Sequence, residues 1–203
     1  MQIAHRRRRT LAFAILLSAV VWSAPASAQG NPERTPSWND AVGSWFGRAV
    51  PVPGGTICPP GAPGCPVPTE IVMVLTINKD GTFVATETNM AGGANHSTGH
   101  GAWERTDSRS INGAYTLLQN SPSGALIGGF KNLFHATAVS ADELQGGLNA
   151  FLYAYAGPGG AVITDSDGFP TPSPLAPSSE CATTPGCTHL GEFTFVVRRI
   201  ATK

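Results

Sequence analysis

The stretch EIVMVLTINKDGTFVATET, residues 70–88, decides the fold. Two runs rich in β-branched and apolar residues, 70–77 and 82–88, flank Asn78-Lys79-Asp80-Gly81. Asp-Gly between such runs supplies the positive-φ position that a tight turn needs, so the stretch reads as a β-hairpin. Working outward, helical periodicity is hard to find, while the same alternation of short β-rich run and turn recurs. The further runs are GSWFGRAVPV (43–52), STGHGAWER (97–105), SINGAYTLL (110–118), ALIGGFKNLFHATAV (125–139), ELQGGLNAFLYAYA (143–156) and GEFTFVVRRIA (191–201). Thr106-Asp107-Ser108 and Ser140-Ala141-Asp142 mark two more turns.

Eight strand candidates in one domain of this length predict an all-β fold, an eight-stranded antiparallel up-and-down β-barrel, with a sandwich as the alternative. Gly101, Gly128, Gly129, Gly146 and Gly147 lie inside strands, as expected where a sheet bends sharply. In an up-and-down order the short turns gather at one end. The long links 53–69 and 156–190, both rich in Pro and Gly, share the other rim.

The N-terminus reads as a cleaved signal peptide over 1–28: Arg6 to Arg9, an apolar run, then Ala26-Ser27-Ala28. The division is therefore signal peptide 1–28, N-terminal arm 29–42 (polar and loose) and barrel domain 43–203. Loss of four arginines leaves nine basic against thirteen acidic residues, about −4 at neutral pH. No basic cluster beyond Arg198-Arg199 remains, which argues against a nucleic-acid partner. The expected location is periplasmic or secreted, without a membrane span in the mature chain, and as a monomer.

All four cysteines, Cys58, Cys65, Cys181 and Cys187, follow the signal, so disulfides are the expectation. Four cysteines allow three connectivities. The short spacings favour local bridges 58–65 and 181–187, and the shared rim keeps cross-connection open. The gaps CPPGAPGC and CATTPGC lack the short knuckles of zinc sites, and no metal or cofactor is expected.

His96 and His100 would stack one turn apart on a helix, as metal pairs do. Here Ser-Thr-Gly and Gly101 surround them, and in an extended chain residues four apart span roughly 13 Å, too far for one ion. Alternation puts Trp103 inward and His100 outward.

Gly43-x-Trp45 at the start of the first of eight strands resembles the lipocalin signature. The order GSW, LTINKDGTF, GHGAWERTD, GALIGGFKNL, ADELQGG, across about residues 43–155, is similar to small bacterial lipocalin-like (calycin-type) proteins. The resemblance implies that Trp45 plugs the closed end of a cup, with an arginine near the last strand, Arg198 or Arg199, packed over it.

The resemblance and the composition together imply a small, mostly apolar ligand held in the cup, a binding rather than catalytic role. Phe83, Trp103, Phe130, Phe134, Phe151 and Tyr153 are the candidate lining residues. An alternative is a cyclase or isomerase of the allene-oxide-cyclase kind, with Glu87, Asn132, His135 or Tyr153 as acid, base or oxyanion partner if they face inward. A third reading is a structural or partner-binding protein using its disulfide-tied rim loops. No G-x-S-x-G, H-E-x-x-H or phosphate-loop motif is present. A filled interior would favour the third reading, an open apolar cup the first, and converging ionisable groups the second.

Overall fold

The computed structural model describes residues 37–88, 95–155, 162–172 and 178–201; the expected signal peptide and the arm up to residue 36 lie outside the described residues. The strands are β1 (Gly43–Thr56), β2 (Ile71–Ile77), β3 (Thr82–Glu87), β4 (Asn95–His96), β5 (Gly99–Arg105), β6 (Ser110–Asn120), β7 (Leu126–Ser140), β8 (Glu143–Ala154) and β9 (Cys187–Arg199). All pairings are antiparallel. The short β4 pairs with the end of β6, in line with β5, so the two count as one strand of the ring. Eight antiparallel strands thus form one up-and-down sheet that closes on itself where β1 pairs with β9. Among the described residues there is no α-helix, and none is long and apolar enough to cross a membrane.

The hairpin at 78–81 forms as expected. The Gly81 φ is +88°, and Asp80 Oδ1 accepts from the Thr82 amide at 2.9 Å and its hydroxyl at 2.7 Å. Alternation then sends Ile71, Met73, Leu75 and Ile77 inward on β2, and Phe83, Ala85 and Glu87 inward on β3. Close strand approach needs Gly101: a Cβ there would run into the Ala114 carbonyl and the Tyr115 backbone.

One end of the ring is shut by residues expected to be a loose arm. Residues Trp38–Ala41 form a 3-10 turn capped by Ser37, whose amide donates to Asp40 Oδ2 at 2.7 Å. Asp40 and Ala41 are buried, and the turn packs against β6 and β7. Trp45 is fully buried beneath it and donates from Nε1 to the Ala41 carbonyl at 2.9 Å.

Of the two candidate arginines, Arg199 covers Trp45, its guanidinium carbon 4.3 Å from the ring centroid. Its Nη1 donates to the Val42 carbonyl at 3.0 Å, its Nε to Ala141 at 2.7 Å, and its Nη2 to Asp40. Arg198 points outward, 81% exposed, beside Glu143. Gly43, at φ +144°, leaves room for the guanidinium, because a Cβ at this position would collide with Arg199 Nη1.

Both disulfides are local. Cys58–Cys65 and Cys181–Cys187 have Cα separations of 5.9 and 5.2 Å. The first loop drops Val67 into the main core, and the Ile57 amide donates to the Leu190 carbonyl at 3.1 Å, joining the two cysteine-bearing links at their roots. The second stabilises a 3-10 turn, Ser178–Thr183, laid against the outside of the ring. The sequence TDSDG (164–168) is a turn, with Asp165 Oδ1 accepting from the Asp167 and Phe169 amides.

The end closure generates the first prediction. Arg199→Met removes three charge-assisted hydrogen bonds and the contact with Trp45, and should lower stability by about 2–4 kcal/mol. Gly43→Ala should cost about 1–3 kcal/mol through backbone strain and collision. Arg198→Met should stay within about 0.5 kcal/mol, as exposed substitutions do. Urea unfolding midpoints of the three variants check the order; equal losses at Arg198 and Arg199 would contradict it.

Candidate functional site

Inside the ring the side chains meet in layers. Phe83 lies with its ring centroid 5.2 Å from Tyr115 and 4.6 Å from Phe134, and these three aromatics fill the middle. Phe130 is fully buried on the same inward face of β7 as Phe134, and Trp103 sits near the hairpin end, donating to the Asn78 carbonyl at 2.9 Å. The cavity bounded by Met73, Phe83, Tyr115, Phe134, Leu148 and Phe195 among others is about 10 Å³. That is about one water's worth, against roughly 300–1,000 Å³ for a small-molecule pocket.

Within this apolar filling stands one polar group of three. Asn132 from β7 donates from Nδ2 to Glu87 Oε1 of β3 at 3.2 Å, across the ring rather than along a ladder. The Tyr115 hydroxyl from β6 interacts with both. Burial pushes the Glu87 carboxyl up to about 7, opposed by the hydrogen bond from Tyr115. The Tyr115 phenol is raised well above its usual value, first by burial and then by the Glu87 charge. Glu87 Oε2 and Asn132 Oδ1 are buried without a hydrogen-bond partner.

The trio combines two expected residues with one that was missed. Glu87 and Asn132 face inward as their candidacy required. Tyr115 drew no attention, although alternation with Ile111 and Leu117 places it on an apolar face. His135 and Tyr153 do not join them. In an antiparallel pair, opposed residues share a face. Asn132 opposes Ala150 inside, so Lys131 and Phe151 are outside; likewise His135 and Gly147, and Gly129 and Tyr153.

The expectation that Phe151 and Tyr153 line an interior cup is therefore corrected. With Tyr155, Leu126, Leu133 and the Cys181–Cys187 bridge they form a second small core on the outer surface, beneath the 178–183 turn. Phe151 stacks on His189 at 4.7 Å, and His189 Nε2 lies 3.3 Å from Asn149 Oδ1. His100 is exposed on the outer face, as alternation required, and Trp103 is half-buried on the inner one. Among the described residues no group of three or more His, Cys, Asp or Glu is placed to hold a metal.

Elsewhere the outer face carries apolar side chains in contact with solvent. Phe46, Val50, Val74 and Val196 are 54, 39, 40 and 42% exposed, all on β2, β1 and β9. Phe46, Val50 and Val196, with Arg48 and Arg198, line a shallow groove of about 570 Å³.

The chain matches no family model, no curated protein and no solved structure at a significant level.

A pH prediction follows from the trio. The folded carboxyl of Glu87 titrates near 7 and an unfolded glutamate near 4.5. The native state therefore holds a proton that the unfolded chain releases between these values. Stability is full below about pH 4.5 and falls as pH rises through 7, by roughly 3 kcal/mol for this group alone. Glu87→Gln should flatten that segment and make the variant the more stable protein at pH 8. Urea unfolding at three pH values measures it; an unchanged slope in Glu87→Gln would show that the trio does not titrate this way.

Proposed function

We propose that this chain is an exported, lipocalin-like β-barrel that acts through its outer surface, as a structural or partner-binding protein, rather than as the carrier of a ligand in a preformed cup. The filled interior carries this reading. A carrier needs tens of times the free space that remains between the inward side chains, and opening it would displace Phe83, Tyr115 and Phe134, which pack on one another. Exposed apolar side chains on the outer sheet supply the complementary observation, since soluble surfaces rarely gather them without a contact to make. The two local disulfides fit an oxidising compartment.

A second reading draws on one specific feature. Glu87 Oε2 and Asn132 Oδ1 are acceptors buried without partners, which is costly by about 1–3 kcal/mol each. A small, mostly apolar molecule bearing a hydrogen-bond donor would satisfy them, and convergence of Glu87 with Tyr115 would also suit acid–base work on such a molecule.

Native and denaturing mass spectra of the exported chain separate the two. On the outer-surface reading, the denatured, non-reduced mass is four hydrogens below that of the reduced chain, and the native spectrum carries no small-molecule adduct. Titration with a long-chain amine or alcohol then leaves tryptophan emission unchanged. An adduct lost in Glu87→Gln and Asn132→Leu would overturn the reading and establish the interior as a binding site.

A further inference from the structure

The two disulfides differ in what else holds their loops. The loop closed by Cys58–Cys65 also buries Val67, 1% exposed, in the main core, and the Ile57 amide ties its root to the Leu190 carbonyl. The turn closed by Cys181–Cys187 has fewer anchors. In the outer core Leu126, Leu133, Phe151 and Tyr153 come from β7 and β8, Tyr155 follows β8 directly, and Cys187 begins β9. Among the described residues Cys181 is the one member that the turn Ser178–Thr183 supplies. The hydrogen bonds of the turn are internal. The Thr184 amide donates to the Cys181 carbonyl at 3.2 Å and the Cys187 amide to the Thr184 carbonyl at 3.0 Å. The Thr183 and Thr184 hydroxyls donate to the Glu180 carbonyl at 3.0 and 2.8 Å. Only at its root does the Gly186 carbonyl accept from the ring, from the Ala154 amide at 2.8 Å, among the described residues.

The bridge is also within reach of solvent. Both half-cystines line an open groove of about 420 Å³ with Phe151, Thr184, Pro185 and His189. Cys187 is half-buried and Cys181 is 6% exposed, so an incoming thiolate meets the Cys187 sulfur first. A dithiol supplies a balanced exchange. Its thiolate attacks Cys187 Sγ, the S–S bond breaks, and Cys181 leaves as a thiolate that takes up a proton. The second thiol of the dithiol then attacks its own sulfur in the mixed disulfide and releases Cys187, which is protonated in turn. Two electrons and two protons pass to the protein, and the dithiol is oxidised to its disulfide. With the bridge gone, the turn loses the covalent link that seats Cys181, and a segment bonded mainly to itself opens locally.

We propose that Cys181–Cys187 is a redox-labile clip, whose reduction by a dithiol lifts the turn Ser178–Thr183 and exposes the aromatic face at Phe151 and Tyr153 while Cys58–Cys65 stays closed. Tyr153 opposes Cys187 and Phe151 opposes His189, so both rings lie directly beneath the clip. The inference goes beyond the outer-surface reading and does not depend on it.

The full disulfide-bonded chain, equilibrated with graded ratios of reduced to oxidised dithiothreitol and alkylated, tests the clip by peptide mass. Cys181 and Cys187 should take up label at a reduced-to-oxidised ratio about tenfold or more below that needed for Cys58 and Cys65. Over the same range hydrogen exchange should quicken across 178–187 and not across 57–67, a hydrophobic dye should gain emission, and re-oxidation should reverse both. Cys181→Ser with Cys187→Ser should bind the dye without reductant, whereas Cys58→Ser with Cys65→Ser should not; the measurements on the unsubstituted chain stand whether or not these variants fold. Both bridges opening together, Cys58–Cys65 opening first, or Cys181–Cys187 opening without faster exchange across 178–187 overturns the proposal.

Discussion

Closure of the sheet between its first and last strands is the constraint on which the molecule depends. β1 and β9 are separated by nearly the whole chain, yet they pair from Trp45 opposite Arg199 to Pro51 opposite Phe193. Such long-range pairing is slow to form and yields little until the intervening hairpins are in place. The pair is clamped at its end: Arg199, the last residue of β9, reaches the carbonyls of Asp40, Val42 and Ala141 and lies over Trp45 of β1. One side chain thus ties together the entry to the first strand, the β7–β8 turn and the end of the last strand. The neighbouring Arg198 has the same charge and none of these contacts, because a strand turns adjacent residues to opposite faces.

Closure fixes what the inside and the outside can do. Eight strands leave an interior that side chains can fill or that can hold one small ligand. Here the aromatic group Phe83, Tyr115 and Phe134 fills it. Outside, the 3-10 turn Ser178–Thr183 before β9 is held by the Cys181–Cys187 bridge over Phe151, Tyr153 and Tyr155. The ring therefore has an internal core and a smaller external one, and only part of its outer surface remains bare.

That second core explains what sequence could and could not disclose. Strand positions, the Asp-Gly hairpin and the outward His100 were legible, because turn chemistry and alternation are local; short spacing favoured the local disulfides but left cross-connection open until the structure closed each bridge within its own loop. Which face of β7 and β8 is inside was not. The usual guide is that the polar face meets water, but the outer face carries Leu133, Phe151 and Tyr153 under a covering turn, while the inner face carries Asn132. Both faces are mixed, and only the distant segment 178–187 accounts for it. The choice between Arg198 and Arg199, by contrast, lay in the sequence: Phe193, Phe195 and Val197 alternate inward, and the same parity continues to 199. The 3-10 plug at 38–41 escaped notice because the four residues Trp-Asn-Asp-Ala are too few to carry a periodic signal, and Asp40 is buried by what it caps.

The polar trio then has a physical meaning even in a filled ring. Apolar alternation specifies the face of each strand but not its register, since a slip of two residues preserves every inward and outward position. Glu87 and Asn132 stand on β3 and β7, which are not neighbours in the sheet, and their hydrogen bond spans the interior. A two-residue slip of β7 would replace Asn132 by Phe130 or Phe134 opposite Glu87 and leave the carboxyl buried without its donor. Such a loss, at several kcal/mol, is comparable with a sizeable part of the total stability of a domain this size. A purely apolar interior would pack the ring as well and discriminate its registers less.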